Sequence, residues 1–279
     1  MENLKIKNNN GMMVDVSKFN KNFEKEFSIC TLVNDFQVYN NMVGSFQAKG
    51  FGGECEYLYI DNSLGNVYDA FSAINFFLRI AKGRFVILCH QDVLLHADGK
   101  DKLLKEIGEI DSIDPKWALL GNAGGKSFKK YAIRISDPHG ENVKVGGPFP
   151  AKVMSLDENF ILVRAEANLA VSSDVGGFHL YGTDLCLIAS ILGYSSYVVD
   201  FHLKHLSPGN VGKKNDKENG SFAQSKRSLI KKYNKSLSSR WINTTCTKMF
   251  LSGSILFSYI FNLGFFVKLR RKVDFFSRK

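Results

Sequence analysis

The sequence is short of paired cysteines. Its five cysteines stand singly, with no Cys-x-x-Cys pair and an odd total: Cys30, Cys55, Cys89, Cys186 and Cys246. This spacing indicates neither a disulfide framework nor a zinc ribbon. The simplest interpretation is a protein of a reducing compartment.

Three familiar signatures are also missing. The first 26 residues lack the apolar core of a signal peptide, so nothing is expected to direct the chain through a membrane. The segment "GNAGGKS" ends like a phosphate-binding loop, but Leu120 stands where the pattern needs its first glycine. His202 and His205 have no cysteine or third histidine nearby, so a closed zinc site is not indicated.

The composition is that of a globular protein with a basic end. With 279 residues, 44% hydrophobic content and 23 phenylalanines, the chain can bury a large core. The net charge is +10, and the segment from Lys204 onward holds most of the excess. Such an end favours an anionic partner, which could be nucleic acid, a membrane surface or a phosphorylated substrate.

The first third of the chain alternates strand and helix patterns. Strands are predicted at 27–33, 55–61 and 84–89, and helices at 38–50 and 67–81. This βαβαβ order predicts a parallel sheet with helices on both faces. Ligands bind outside the carboxyl ends of the strands in such sheets.

Polar residues follow all three of these strands. They are Asn34 and Asp35, then Asp61 and Asn62, then His90, Gln91 and Asp92. Asx residues after strands can simply start turns. Their recurrence after each strand favours a binding crevice along one edge of the sheet.

Further elements are predicted along the rest of the chain. They are a helix at 99–110, a strand at 117–125, a hairpin at 131–145, a strand region at 153–164, a helix at 183–193, a strand at 197–206 and a glycine-containing polar loop at 207–225. His205 ends one of these strands, so we expect it to face the same crevice as Asp92. A carboxylate and an imidazole can hold a divalent cation that bridges a diphosphate, with Mg²⁺ or Mn²⁺ as candidates and the imidazole favouring Mn²⁺.

Six segments of the sequence resemble family 2 of the GT-A glycosyltransferases. They occur in the family order: "FSICTLVND", "YLYIDNS", "HQDV", "LDENFILVR", "GFHLYGTDLCLIASILGY" and "VVDFHLKHLSPGN". The closest likeness is to a bacterial subgroup with HQD in place of the usual DxD. The resemblance implies an α/β, Rossmann-like, mostly parallel sheet with flanking helices. It divides the chain into an extension (1–26), the GT-A domain (27–225) and a helical, basic and hydrophobic tail (226–279).

The resemblance also implies site residues. Thr31, Val33 and Asp61 would contact the base and ribose of a donor nucleotide, and Gln91 would lie beside the donor. Asp92 would be the metal-binding carboxylate, with His90 in the place of the first Asp of DxD. His205 would match a late histidine that completes the metal or diphosphate contact. The loop at 207–225 would close over the donor.

The base expected of an inverting enzyme is missing from its usual place. The acidic pair of the family falls on Tyr181 and Gly182. Asp184 is the nearest carboxylate and could be the base or could cap its helix. Asp157 and Glu158 are the other candidates, and Glu158 could also hold the acceptor.

The tail contains an uncharged run from Met249 to Val267, followed by "KLRRK". Its length is close to a membrane span. Its serines, glycines and Asn262 favour an amphipathic helix at the membrane surface instead. A buried core helix or an oligomer contact is the alternative.

The function expected from the resemblance is sugar transfer. The donor would be a nucleotide-diphosphate sugar, with UDP favoured, and the group moved would be a hexosyl or N-acetylhexosaminyl unit. The acceptor would be a bacterial surface polysaccharide or a lipid-linked glycan, reached from the cytoplasmic face of the cell membrane. The alternative is a catalytically weak protein that binds sugar nucleotides or glycans. A nucleic-acid partner is not expected, because the tail lacks the aromatic and basic interleaving of known modules.

Overall fold

The first third of the chain alternates strands and helices, as the sequence predicts. The computed structural model describes residues 23–127, 129–207, 220–243 and 248–269. Its first elements are β1 (Lys25–Val33), α1 (Phe36–Ala48), β2 (Cys55–Asp61), α2 (Ala70–Ile80) and β3 (Gly83–Cys89). β1 pairs in parallel with both β2 and β3. The predicted βαβαβ unit is therefore confirmed.

Local sequence explains where the first two helices begin. The Asp35 carboxylate accepts hydrogen bonds from backbone N–H groups at the start of α1, and the Asp69 carboxylate does the same for α2. Such side chains satisfy N–H groups that have no partner within the helix. α2 then buries a stripe with helical spacing, formed by Ala70, Phe71, Ala73, Ile74 and Phe77.

The main sheet has seven strands in the order β2-β1-β3-β11-β5-β12-β9. Its further strands are β5 (Trp117–Gly121), β9 (Ala151–Val153), β11 (Phe160–Arg164) and β12 (Ser195–Val198), and further helices are α3 (Lys100–Ile113) and α4 (Tyr181–Ile191). β11 runs antiparallel to β3 and β5, and β9 antiparallel to β12. The sheet is therefore mixed, which corrects the expectation of a mostly parallel one. β9 and β11 both begin at the edge where their neighbours end, with Ala151 opposite Val198 and Phe160 opposite Cys89. The described residues between β5 and β11 contain no helix that could return the chain to the other edge, as parallel pairing would need.

The core occupies both faces of the main sheet. Val86 and Leu88 of β3 belong to one apolar cluster, whereas Phe85 and Ile87 belong to another. The first cluster includes side chains of α2 and α4, and the second includes side chains of α1 and α3. Because successive strand residues point to opposite faces, helices cover both sides of the sheet, as predicted.

A second sheet lies beside the first, with the order β10-β6-β7-β13-β4 and with β8 paired to β7. Its strands are β4 (Val93–Leu94), β6 (Ala123–Ser127), β7 (Lys130–Asp137), β8 (Gly140–Val145), β10 (Ser155–Leu156) and β13 (Leu203–His205). β7 and β8 pair antiparallel and form the predicted hairpin. β13 runs antiparallel to β4.

Three predicted strand segments are divided between the two sheets. Residues 117–125 form β5 and β6, residues 153–164 contain β10 and β11, and residues 197–206 contain the end of β12 and then β13. At the first division Asn122 is fully buried, and its carbonyl accepts from the Arg134 N–H of β7. Apolar residues continue on both sides of these divisions, so the sequence pattern does not reveal them.

Helix α5 (Ser221–Ser236) corrects the prediction of a loop up to residue 225. Its first turns bury Ala223 and Ser225, and Leu229 joins one of the core clusters. Small residues carry little hydrophobic signal, so the sequence pattern predicts a loop here. Residues 208–219 of that loop lie outside the described residues, and the domain boundary expected at residue 225 falls within α5.

The segment from Met249 to Val267 is not one helix. It begins in β15 (Lys248–Leu251), which pairs with β14 (Arg240–Asn243), and continues into α6 (Ile255–Asn262). The Asn262 amide bonds the N–H and the carbonyl of Phe250, each at 2.8 Å, and ties the helix to the strand. A polar residue within the apolar run therefore stabilises this arrangement. Within the described part of the chain, no helix has both the length and the apolar character to cross a membrane.

Candidate metal centre at the edge of the main sheet

The carboxyl ends of five strands meet at one edge of the main sheet. β1, β2 and β3 run parallel, and β11 begins beside the end of β3, with Phe160 opposite Cys89. β5 and β12 end at the same edge, where Gly121 lies opposite both Ile161 and Val198. Polar residues that follow these strands, or that precede β11, therefore gather at this edge.

Among the described residues, one group of His, Cys, Asp or Glu side chains brings three ligand atoms within 4.8 Å of one another: His90, Asp92 and His205. The His205 Nε2 lies 3.3 Å from Asp92 Oδ1 and 3.4 Å from His90 Nδ1. The His205 side chain is 11% exposed and that of Asp92 is 22% exposed, so solvent reaches a largely enclosed group. The structure thus brings together Asp92 and His205, the two predicted metal ligands, and adds His90 to them.

Backbone pairing positions this group. The turn after β3 carries the chain from the main sheet to β4 of the second sheet, where β4 pairs with β13 and places His205 beside the turn. The Leu206 N–H donates to the Asp92 carbonyl, and the His90 N–H donates to the Asn159 carbonyl, both at 3.0 Å. The three polar residues after β3 therefore occupy a junction between sheets, where a core strand has to end.

The pKa shifts of His90 and Asp92 suit a metal ion. Burial lowers the pKa of His90, and a positive charge on His205 would lower it further. Burial opposes ionisation of Asp92, but the hydrogen bond and charge of His205 outweigh it, so the pKa of Asp92 is lowered. A neutral imidazole at His90 and an ionised carboxylate at Asp92 are the forms that bind metal ions.

The donor set fits a divalent metal ion. Two imidazole nitrogens and one carboxylate oxygen are common ligands of first-row transition metals. Ligand atoms about 3 Å apart can share one ion at bond lengths of roughly 2.0 to 2.2 Å. The atoms that would hold the ion are His90 Nδ1, Asp92 Oδ1 and His205 Nε2.

Gln91 links two of the strand ends that line the crevice. Its Oε1 accepts from the backbone N–H groups of Asn34 at 2.9 Å and Asp35 at 3.1 Å, and its Nε2 donates to Asn34 Oδ1. These bonds tie the end of β1 to the end of β3. A donor contact through the Gln91 amide, as predicted, would compete with them.

The residues expected to contact a nucleotide differ in their exposure. The side chains of Thr31 and Val33 are buried within the sheet, at 1% and 0% exposure. These values cover the whole residues, so neither Thr31 nor Val33 presents surface to a ligand. Asp61 ends β2 at the surface, and hydrogen bonds from Ser63 lower the pKa of this carboxyl group. Asp61 is thus an ionised carboxylate at the predicted edge.

Glu158 precedes β11 and meets the N-terminus of α4. The backbone N–H groups of Leu180, Tyr181 and Gly182 favour the ionised form of its carboxyl group. The pKa of Glu158 is nevertheless raised to about 8, chiefly by burial and further by the negative charge of Asp157. The three backbone N–H groups lower this pKa, but by less. A carboxyl group with a pKa near neutrality can take up or release a proton under physiological conditions.

Asp157 and Asn159 form the turn around Glu158. Asp157 is exposed, and its Oδ1 accepts from the backbone N–H and the Nδ2 of Asn159, at 3.1 and 2.6 Å. The Oδ1 of Asn159 is buried and has no hydrogen-bond partner within the described residues. A buried acceptor of this kind calls for a donor from water or from a ligand.

The start of α4 cannot carry the acidic pair of the family that the sequence resembles. A Cβ at Gly182 would lie 2.5 Å from the Leu156 carbonyl oxygen, so no side chain fits there. Tyr181 is 7% exposed, and its hydroxyl lies 3.1 Å from His90 Nε2. Sequence reasoning missed this contact. The signal that could have found it is the position of Tyr181 at a helix start expected to face the site.

Asp184 lies in the interior. It is 0% exposed, and its carboxylate accepts from the Ser172 N–H at 2.7 Å, the Ser172 hydroxyl at 2.9 Å and the Tyr233 hydroxyl at 2.7 Å. The structure corrects both predicted roles. The carboxylate is fully buried and is held by interior donors, and the N-cap position of α4 belongs to Leu180. Asp184 instead ties α5 and the loop before α4 to the core.

The fold and the site define a mixed α/β protein with a candidate metal centre of two histidines and one carboxylate. The chain belongs to the family of a Fuscovulum blasticum protein named ATP synthase subunits region ORF 6, with 42% identity over 186 residues. The alignment covers 64% of this chain and 74% of that protein, whose name states no activity. No protein-family model matches the sequence.

Three solved structures show a weaker likeness. The mannosyltransferase PcManGT from Pyrobaculum calidifontis, in complex with GDP-Man and Mn²⁺, aligns with a TM-score of 0.49 and 12% identity over 76% of this chain and 66% of its own. GalNAc-T7 with UDP, GalNAc and Mn²⁺ aligns with a TM-score of 0.46 and 9% identity, over 68% of this chain and 45% of that protein. S. aureus TarS aligns with a TM-score of 0.44 and 12% identity, over 76% of this chain and 44% of that protein. The chain spans less than two thirds of each of these proteins.

Proposed function

We propose that the protein is a metal-dependent glycosyltransferase of the GT-A type that takes a sugar from a nucleotide-diphosphate donor. The observation that carries the proposal is the meeting of two groups at one sheet edge. The His90, Asp92 and His205 ligand set lies there, and the ionisable Glu158 is joined to it through Tyr181. Both groups stand on the segments that resemble family 2 glycosyltransferases.

The donor would lie along the carboxyl ends of the first three strands. A metal ion held by the ligand set would neutralise the diphosphate as it leaves. Asp61 is placed to accept hydrogen bonds from ribose hydroxyls. Phe36 and Tyr59 are 38% and 52% exposed with ring centroids 5.7 Å apart, and they offer an aromatic surface for the base.

Glu158 is the base that the geometry favours. Inverting transfer needs a carboxylate to take the proton of the acceptor hydroxyl. Gly182 is closed to any side chain and Asp184 is held in the interior, whereas Glu158 places a carboxyl group at the same helix start. Asp157 remains near enough to raise the pKa of Glu158, and so tunes the base without replacing it.

We propose Mn²⁺ in preference to Mg²⁺. Mg²⁺ is bound through oxygen ligands and dehydrates reluctantly. Two of the three ligand atoms here are imidazole nitrogens, which suit transition metals. A UDP-linked hexose or N-acetylhexosamine as donor, and a surface polysaccharide or lipid-linked glycan as acceptor, remain the proposal drawn from the sequence.

The second candidate is a protein that binds sugar nucleotides or glycans and has little catalytic power. The observation in its favour is the loss of the acidic pair at Tyr181 and Gly182. The behaviour of Glu158 separates the two candidates. A transferase loses its turnover in Glu158→Gln, whereas a binding protein has no turnover to lose and keeps its ligand affinity.

We also propose that the C-terminal region holds the enzyme on the cytoplasmic face of an anionic membrane. Ile255, Leu256, Tyr259 and Phe265 are 64 to 89% exposed. In the sequence, Lys268 and the basic segment "RRK" after Leu269 follow this apolar run. Exposed apolar side chains next to basic ones are typical of surface binding to anionic lipid.

Liposome sedimentation tests the membrane proposal. Ile255→Glu combined with Phe265→Glu should reduce sedimentation with vesicles containing phosphatidylserine. Ile191→Glu, at an isoleucine 61% exposed on α4, is the matched control and should sediment like the wild type. Equal sedimentation of all three proteins, or none by the wild type, would contradict the proposal.

Donor turnover tests the main proposal. The purified full-length protein is incubated with Mn²⁺ and a panel of UDP- and GDP-linked sugars, and release of the nucleoside diphosphate is measured. We expect release from at least one donor, its loss on chelation and its loss in Glu158→Gln. If the wild type shows neither release nor a metal-dependent thermal shift with any donor, the proposal fails.

A further inference from the structure

The hydroxyl of Tyr181 joins the candidate metal centre to the segment that carries the candidate base. It lies 3.1 Å from His90 Nε2 and 3.0 Å from the carbonyl oxygen of Glu158. The backbone N–H of Tyr181 also favours the ionised form of the Glu158 carboxyl group. The hydroxyl of one buried residue thus contacts both a metal ligand and the backbone of the candidate base.

The direction of these hydrogen bonds follows from which atoms carry protons. A carbonyl oxygen can only accept, so the single proton of the tyrosine hydroxyl is directed to Glu158. The bond to His90 must then run the other way, with Nε2–H as donor and the phenolic oxygen as acceptor. In a neutral imidazole the other nitrogen, Nδ1, carries no proton. That nitrogen lies 3.4 Å from His205 Nε2, on the side of the ligand set.

We propose that Tyr181 is a positioning residue that fixes His90 in the Nε2-protonated tautomer, with the Nδ1 lone pair turned to the metal. Metal-binding histidines commonly have their second nitrogen held by an acceptor, which fixes the tautomer and the ring orientation. This inference rests on the metal centre of the proposed function. It assigns a role to a residue that the resemblance marks only as a missing acid.

The chemistry of position 181 explains why a tyrosine suits it. A carboxylate here would have no proton to give to the Glu158 carbonyl. It would also place a second negative charge next to the Glu158 carboxyl group. A phenylalanine would keep the packing and would leave both His90 Nε2 and the Glu158 carbonyl without this partner.

The test compares Tyr181→Phe with Tyr57→Phe. The Tyr57 hydroxyl also donates to a backbone carbonyl, that of Phe51 at 2.7 Å, so its removal is a matched loss away from the ligand set. Nitrogen-15 NMR of the histidine rings, in the metal-free full-length protein near pH 8, reports which nitrogen of His90 carries the proton. Mn²⁺ affinity is measured on the same samples without any sugar donor.

We expect a single Nε2-protonated form of His90 in the wild type and in Tyr57→Phe. Tyr181→Phe should show a mixture of tautomers and a loss of Mn²⁺ affinity of about 10- to 100-fold, the usual scale for such outer partners. An Nδ1-protonated His90 in the wild type, or equal Mn²⁺ affinity in the two variants, would overturn the inference. Because no donor is present, absence of sugar transfer would count against the proposed function and leave this inference standing.

Discussion

Two carboxyl groups lie at helix α4 in contrasting surroundings. At its N-terminal end Glu158 is half-buried and borders the exposed Asp157, and burial raises its pKa to about 8. On its inner side Asp184 is fully buried and is held by three donors from Ser172 and Tyr233. The two carboxyl groups are 26 residues apart in the sequence and both lie at α4.

The contrast shows how surroundings assign roles to the same functional group. A carboxylate whose lone pairs are filled by interior donors stabilises the fold and has little capacity left for chemistry. A carboxyl group with a pKa near neutrality and access to an open edge can exchange protons. The family pattern alone leaves Asp184 as either the base or a helix cap, with Asp157 and Glu158 as the other candidates for the base.

The largest effect is expected from Glu158→Gln. The amide keeps the shape of the side chain but cannot accept the acceptor proton, so transfer should fall by about 10²- to 10⁴-fold. Donor binding, followed by thermal shift, should persist. Asp157→Asn, which keeps the neighbouring position but removes the charge, should lose far less. Retention of near-normal transfer in Glu158→Gln would move the base elsewhere.

Asp184→Ala should act on stability instead. It leaves the Ser172 N–H and the Tyr233 hydroxyl without their acceptor, and buried bonds to a charged group contribute roughly 1.5–3 kcal/mol each. Urea unfolding should therefore show a loss of about 2 kcal/mol or more, with Mn²⁺ affinity of the folded protein unchanged. A variant of normal stability that has lost only turnover would restore Asp184 as the base.

Gly182→Ala probes the closed position between the two carboxyl groups. The new methyl group would meet the Leu156 carbonyl oxygen at 2.5 Å, and overpacking of this kind costs about 1–3 kcal/mol. Gly44→Ala, a helical position where a Cβ meets nothing within 4 Å, is the control and should be neutral or slightly stabilising. Equal stability of the two variants would mean that position 182 can accept a side chain.

The pH dependence should separate Glu158 from other carboxyl groups. As a base it must be ionised, so turnover should rise with pH through about 8. For stability the sign is opposite, because the folded state holds this proton more tightly than the unfolded chain does. The contribution of Glu158 to the free energy of unfolding is therefore complete below the usual glutamate pKa, and it is lost as pH rises through about 8. Both dependences should weaken in Glu158→Gln, and an unchanged turnover profile would contradict the assignment.

The sequence predicts the elements whose structure depends on local pattern. The βαβαβ unit follows from apolar periodicity and from caps such as Asp35, which lie within a few residues of what they stabilise. Asp92 and His205 were predicted to meet because each follows or ends a strand. The pairing of β4 with β13 brings them together in the structure.

Other features depend on partners that are distant in the sequence. Tyr181 meets His90 from 91 residues away, and Tyr233 reaches Asp184 from 49 residues away. The change of sheet at Asn122 depends on a backbone bond to Arg134 of a different strand. No local periodicity reports such contacts, so the sequence could predict neither the interior role of Asp184 nor the mixed sheet.

Direct measurement of Mn²⁺ binding is the sharpest test of the central claim, that His90, Asp92 and His205 form a metal centre. Calorimetry on the metal-free full-length protein should show one ion bound per chain. Asp92→Ala should weaken binding by at least about 100-fold, more than loss of an outer partner would. Asp101→Ala, at an exposed aspartate in the first turn of α3, should bind like the wild type. Equal Mn²⁺ affinity in Asp92→Ala and the wild type would contradict the account.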